Sequence, residues 1–274
     1  ILKHAYKGAP WVDLDGIEAE CAELMPRDPH QAERFFGNRI VSGADKAFDV
    51  EQYKMLVDDE IGIAKDRHVT LGFDGALTFD STGLVATDIE TGRQVVVAAW
   101  HRPEGLPEEA EWQVPIAELN EAVDFAFDFW TVWRMYADPP HYKDDLNRWA
   151  GEYGIERVVL WWTNQRKKMA YAIKFFKTDM RPGVMSHAPI EDSPQAIASH
   201  EKLIEHIGNA VKRMTNIRDE EDGKFLFLIG KEGAHSPLKI DLAMAAILSW
   251  EARGDAIRAG VLNEQEYERA AAWQ

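Results

Sequence analysis

His68-Val69-Thr70-Leu71-Gly72-Phe73-Asp74-Gly75 reads as a short apolar strand that ends in an acid and a glycine. Two more β-rich runs follow it, Gly83 to Asp88 and Arg93 to Trp100, with Thr91-Gly92 as the turn between them. Three such runs joined by short turns predict an antiparallel meander. Working outward, residues 104–128 hold eight acids and no Lys or Arg. Ala117, Val123, Phe125, Ala126 and Phe129 give them partial helical periodicity, so an amphipathic helix with an acidic solvent face is expected. A fourth strand, Val132 to Ala137, ends abruptly at Asp138-Pro139-Pro140, because proline has no N–H to donate and fixes φ.

Beyond the prolines the pattern predicts a helix from Tyr142 to Tyr153 and a fifth strand over Arg157 to Trp162. A helix over 165–178, an extended segment at 184–188 and a helix over 194–213 follow, then a strand from Phe225 to Ile229. A last helix begins after Pro237 and runs through Asp241 to Arg253. Upstream, residues 1–66 carry 14 acids against 8 bases and read as helical, opening at Asp13-Leu14-Asp15, with a second stretch from Gln31 to Asn38. Meander, helix, strand, helix, strand is the order of an RNase H-like sheet. The expected class is therefore α/β: an RNase H-like mixed central sheet flanked by helices, with a helical N-terminal segment. The chain divides into a leading segment (1–66), an RNase H-like body (67–257) and a tail helix (258–274). Fold alone does not give function.

Composition narrows the field. The 274 residues carry 31 Lys+Arg against 47 Asp+Glu, a formal net charge of −16, with 46% apolar residues. Those fractions belong to an ordinary globular protein. One cysteine, Cys21, excludes a disulfide framework and a cysteine-based zinc site. No apolar run approaches the roughly 18 residues of a membrane span. The chain opens Ile1-Leu2-Lys3-His4, without Met or a signal pattern, so it is expected either to begin inside a longer one or to have been trimmed. No Gly-x-x-x-x-Gly-Lys-Ser/Thr, Gly-x-Gly-x-x-Gly, Gly-x-Ser-x-Gly or His-Glu-x-x-His pattern occurs, which disfavours an ATPase, a dinucleotide enzyme, a serine hydrolase and a zinc hydrolase.

Three acids stand where such a sheet would need them. Asp74 closes the first strand, Asp138 closes the fourth, and Asp241 lies in the first turn of the last helix. Each alone has an ordinary role as a turn or cap residue. Together they sit at topologically convergent positions, and carboxylates are the ligands hard divalent cations prefer. Two such ions can activate water and stabilise a leaving oxygen. Asp80, six residues past Asp74, could face the same cluster. Against the overall charge, residues 157–181 hold seven bases and one acid, including Arg166-Lys167-Lys168, and Lys212-Arg213 adds a weaker group. Basic residues beside a carboxylate cluster suit a phosphate backbone, which they neutralise without reading sequence.

Leu71-Gly72-Phe73-Asp74-Gly75, Arg134-Met135-Tyr136-Ala137-Asp138-Pro139-Pro140, Trp161-Trp162-Thr163-Asn164 and Lys239-Ile240-Asp241-Leu242-Ala243-Met244-Ala245 resemble, in this order, the C-terminal nuclease part of large terminase subunits of tailed bacteriophages. His206-Ile207-Gly208-Asn209-Ala210 matches a segment usual in that family, and Phe35-Phe36-Gly37-Asn38 is similar to the stretch joining its ATPase to its nuclease. The resemblance implies an endonuclease that cuts concatemeric double-stranded DNA during packaging, in the host cytoplasm at the procapsid portal. It implies Asp74 bridging two Mg²⁺ or Mn²⁺ ions, Asp138 and Asp241 completing one site each, and Asp80 as an extra ligand. It assigns the upstream ATPase to another part of the protein, with portal and small terminase subunit as further partners. Arg166, Lys167, Lys168, Lys212 and Arg213 are the expected DNA contacts. The alternatives are a non-catalytic RNase H-like docking module for a portal or small subunit, and another RNase H-like enzyme such as a transposase or resolvase.

Overall fold

A computed structural model describes residues 6, 11–25, 36, 46–76, 81–103, 105, 112–233, 236 and 238–262. Asp80, His235 and the stretch from 263 onward lie outside the described residues, as does Gln31 to Asn38 apart from Phe36. Helix α1 (Leu14–Leu24) opens where the sequence places a helix start, and the Asp13 carboxylate caps it by accepting from Gly16 N at 3.1 Å.

The central sheet is built from β1 (His68–Gly75), β2 (Thr82–Asp88), β3 (Arg93–Trp100), β4 (Thr131–Ala137), β5 (Val158–Leu160) and β6 (Ser186–His187). Its order is β5-β4-β1-β2-β3-β6. The first three strands form the expected antiparallel meander, while β4 runs parallel to β1 and β5 parallel to β4. This is the RNase H-like order read from the sequence. The two-residue β6 extends it by pairing parallel to β3. Strand β1 is buried from Val69 to Phe73 because both its faces are covered. Val69, Leu71 and Phe73 face one core, shared with α3 (Ile116–Phe129) and α4 (Lys143–Tyr153). Thr70 and Gly72 face the other side, where the last helix, α7 (Asp241–Arg258), crosses the sheet.

Helix α7 lies close to the strands because its contacting residues are small. Ala245 and Ser249 sit over Gly72, where any side chain would collide with the Ala245 carbonyl and the Ser249 amide. Ser249 also joins Thr87 at 2.7 Å and Gln94 at 3.1 Å, and its carbonyl accepts from Thr70 at 2.8 Å. A buried polar seam of this kind fixes the helix's register on the sheet as well as its distance, since each group must find its partner.

Several boundaries differ from expectation. The acidic helix begins at Ile116, behind Pro115, rather than at 104. Helix α6 (Pro194–Asn209) stops short of 213, and Lys212-Arg213 belongs instead to strand β7 (Val211–Arg218). Ala210 turns to an extended conformation, and β7 pairs with β8 (Phe225–Gly230) in a separate hairpin. Helix α5 (Arg166–Asp179) is as predicted within a residue, and α7 runs on to Arg258.

Residues 46–58 pack onto the body. Helix α2 (Val50–Lys54) buries Tyr53, and Ala47, Phe48, Tyr53 and Leu56 join the α7-side core. The joint is His187 of β6. Its Nε2 meets the Tyr53 carbonyl at 2.8 Å, its Nδ1 meets His200 Nε2 at 2.6 Å, and its ring stacks on Tyr53 at 4.1 Å. Burial holds its pKa down to about 4, with a contribution from His200 against the pull of the Tyr53 carbonyl. Unfolded, the imidazole takes up a proton below about pH 6.5, while the folded protein resists until about pH 4. Stability should therefore be full above that range and fall on acidification through it, by up to about 1.4 kcal/mol per pH unit. Urea midpoints measured from pH 7 to 4.5 test this; a flat profile would contradict it.

Candidate metal centre

Asp74 and Asp138 meet through strand register. In the parallel β1–β4 pair Phe73 lies opposite Ala137, and Asp138 N donates to the Phe73 carbonyl at 3.1 Å. The two acids are thus the next residues on neighbouring strands, at the carboxyl end of both. Side chains alternate across a strand. Asp74 shares parity with Thr70 and Gly72, and Asp138 with Arg134 and Tyr136, so both belong to the face that α7 covers. Asp241 is the first residue of α7 and is buried. Ser81, just before β2, donates to its Oδ2 at 2.5 Å. Gly83, paired with Asp74, lies under Leu242. The sheet edge and the helix start are thereby joined.

Tyr142 reports on the shared field. Its hydroxyl lies 3.0 Å from Thr82 Oγ1, and Thr82 in turn donates to the Ala76 carbonyl at 3.0 Å. These contacts tie the neck of the turn between β1 and β2. The phenol's pKa is raised, first by burial and further by the negative charges of Asp145, Asp241 and Asp74. Two of the three predicted carboxylates therefore act on one hydroxyl.

Asp138 is held from the other side. Thr163, in the turn between β5 and α5, donates its hydroxyl to Asp138 Oδ2 at 2.6 Å and its backbone N–H to Oδ1 at 3.2 Å. In donor chemistry the three carboxylates fit a hard divalent cation. As arranged, Asp138 and Asp241 are braced by hydroxyls, and among the described residues no group of three or more His, Cys, Asp or Glu stands close enough together to hold a metal ion. Asp80, the expected extra ligand, falls in the segment 77–80 outside the described residues.

The predicted bases divide into two sets. Arg166, Lys167 and Lys168 open α5 on its exposed side and line a cleft of about 590 Å³ with Gln165, Tyr171 and Glu251. Lys168 Nζ lies 4.4 Å from the Trp161 ring centre, a cation–π contact that leaves the ammonium available to an anion. Trp161 is core. The turn of the β7–β8 hairpin folds back onto the same helix. Glu220 pairs with Lys167 at 2.6 Å, and Asp219 and Glu221 pair with Lys174 at 2.7 and 2.5 Å. Lys212 and Arg213 lie on β7, away from this helix's opening turn. Arg213 donates to the carbonyls of Lys231 and Glu232, and Lys212 lies 5.7 Å from the Phe227 ring centre.

Sequence reasoning missed Ser81, Thr163 and Tyr142 as partners of the carboxylates, although Thr163 stands in one of the motifs. Hydroxyls carry no spacing signal; only their tertiary neighbours distinguish them. The pairing of the acidic turn at 219–222 with α5 was missed as well.

No family model matches the chain. The gene 13 protein of Mycobacterium phage L5 is 23% identical over 269 residues, which cover 89% of this chain and 41% of that protein. The gene 13 protein of Mycobacterium phage D29 is 26% identical over 220 residues, covering 80% and 34%. The chain thus spans less than half the length of these curated relatives. Among solved structures, the large terminase of bacteriophage HK97 superposes with a TM-score of 0.54 at 18% identity, over 90% of this chain and 53% of that one. The chain thus shares its fold with about half of that large terminase, in agreement with the resemblance carried by the sequence motifs.

Proposed function

From that shared fold, we propose that the chain is the nuclease module of a large-terminase-like protein, a divalent-metal-dependent endonuclease that hydrolyses phosphodiester bonds of double-stranded DNA. The observation that carries this reading is the parallel β1–β4 register. It supports two adjacent carboxylates, Asp74 and Asp138, on the face where α7 begins with a third, Asp241.

Asp74, Asp138 and Asp241 would hold Mg²⁺ or Mn²⁺, two ions in all, with Asp80 as an added ligand. When bound, the ions supply Lewis acidity for the attacking water and charge stabilisation for the leaving 3′-oxygen. The chain's own work is then to hold the phosphate. Arg166 and Lys168, at the cleft that opens α5, are suited to the DNA backbone, while Lys167 must exchange Glu220 for a phosphate oxygen. Lys212 and Arg213 would act farther along the duplex. Phosphate contacts position DNA without specifying its sequence, so little sequence preference is expected of this module. Cutting concatemeric DNA at a procapsid portal, alongside an ATPase and a small subunit, would be the role of the whole protein.

The test is nicking of supercoiled plasmid by the purified protein in Mn²⁺ or Mg²⁺, with and without excess EDTA. Conversion to open-circular and linear forms only with the cation present is expected. Absence of nicking under all conditions, with no cation binding, would favour a docking module instead.

A further inference from the structure

We infer that Thr163 is a positioning residue for Asp138, fixing the plane of its carboxylate and tying it to the turn from which the basic helix α5 starts. This rests on the reading of Asp138 as a metal ligand. The Asp138 backbone is already anchored, because its N–H donates to Phe73 at the end of β1. What remains free is the side chain, and Thr163 restrains it at both oxygens, with the hydroxyl on Oδ2 at 2.6 Å and the amide on Oδ1 at 3.2 Å. The shorter bond lies in the range of a charge-assisted O–H···O⁻ contact.

This is not an ordinary turn cap. An aspartate that caps a turn bonds to backbone two or three residues away, whereas Thr163 lies 25 residues on, behind a helix and a strand. The donor is itself rigid. Trp161 is buried and its backbone N–H donates to the Ala137 carbonyl at 2.8 Å, while Gln165 N donates to Trp162 O at 3.2 Å, closing the turn. An ionised carboxylate offers about four lone-pair positions. Two are taken by Thr163, which leaves the others with a fixed direction for a cation. Arg166, three residues past Thr163, opens α5, so the same turn sets the acid and the first phosphate contact relative to each other.

Mn²⁺ binding by calorimetry tests the assignment, on the wild-type chain and on Thr163→Val, Thr163→Ala, Thr163→Ser and Asp138→Asn, with thermal unfolding of each. Thr163→Val is expected to weaken Mn²⁺ binding about 10- to 100-fold, the usual effect of losing an outer partner of a ligand. Thr163→Ser, which keeps the hydroxyl, should restore it. Thr163→Ala serves where the valine variant does not fold. Hydroxyl-free variants that bind Mn²⁺ as tightly as wild type, while Asp138→Asn binds it weakly, would overturn the role of Thr163 alone. Undiminished binding by Asp138→Asn would overturn the metal reading of Asp138, and this inference with it.

Discussion

Asp74→Ala is expected to lower plasmid nicking in Mn²⁺ by at least about a thousandfold while leaving the fold nearly as stable as before. A thousandfold is about 4 kcal/mol of transition-state stabilisation, in line with the several kcal/mol that a correctly held cation contributes. Asp74 stands between the other two carboxylates, as the neighbour of Asp138 by strand register and of Asp241 through Gly83 and Leu242. Its loss would disturb both proposed metal positions at once. It is half-buried at the end of β1, outside the apolar clusters, so truncation should change stability by no more than about 1 kcal/mol. Asp241 is a less clean probe. It is buried and accepts from Ser81, so replacing it removes that bond inside the protein and mixes stability with activity. Initial nicking rates and melting temperatures on the same preparations are the measurements. Nicking by Asp74→Ala at more than a tenth of the wild-type rate would exclude it as a ligand.

Gly72→Ala is expected to destabilise the fold by about 3 kcal/mol or more, at or beyond the upper end of what a single overpacked methyl does. The added Cβ would lie well under 3.0 Å from the carbonyl of Ala245 and the amide of Ser249. Both are backbone atoms of α7, so no side-chain rotation relieves the clash; the helix must lift from the sheet. Lifting it would also pull Ser249 away from Thr70, Thr87 and Gln94. Gly151 in α4 offers the contrast, since a Cβ there meets nothing within 4 Å. Urea unfolding read by tryptophan fluorescence measures the difference. A loss under about 1 kcal/mol would mean that α7 is not pressed onto β1 as described. Gly72 thus belongs to the site indirectly, because the close approach of α7 is what carries Asp241 to the ends of β1 and β2.

The net charge of −16 also acquires a location. Six of the net negative charges fall in residues 1–66, and 157–181 reverses the sign with seven bases against one acid. Part of that basic surface is already occupied, since Asp219, Glu220 and Glu221 pair with Lys167 and Lys174. DNA affinity of this module alone should accordingly be weak and salt-sensitive, because exposed ion pairs and phosphate contacts are both screened.

The sequence by itself determined the strand order and three of the acids that end or begin its elements. Apolar runs such as Val69 to Phe73, the break at Pro139-Pro140 and the turn at Thr91-Gly92 are local signals, written by residues next to one another. The acids could be named because topology, once ordered, brings strand ends together without side-chain detail. Only the tertiary structure decided what lies against those acids: Thr163 on Asp138, Ser81 on Asp241, and Tyr142 in the field of two carboxylates. It likewise decided that Lys212-Arg213 is strand rather than helix, since β7 exists by pairing with β8, and that residues 46–58 dock through His187. Such contacts join residues tens or hundreds of positions apart. A hydroxyl or an imidazole has the same appearance in sequence whether it faces water or a buried partner, and only packing tells the two apart.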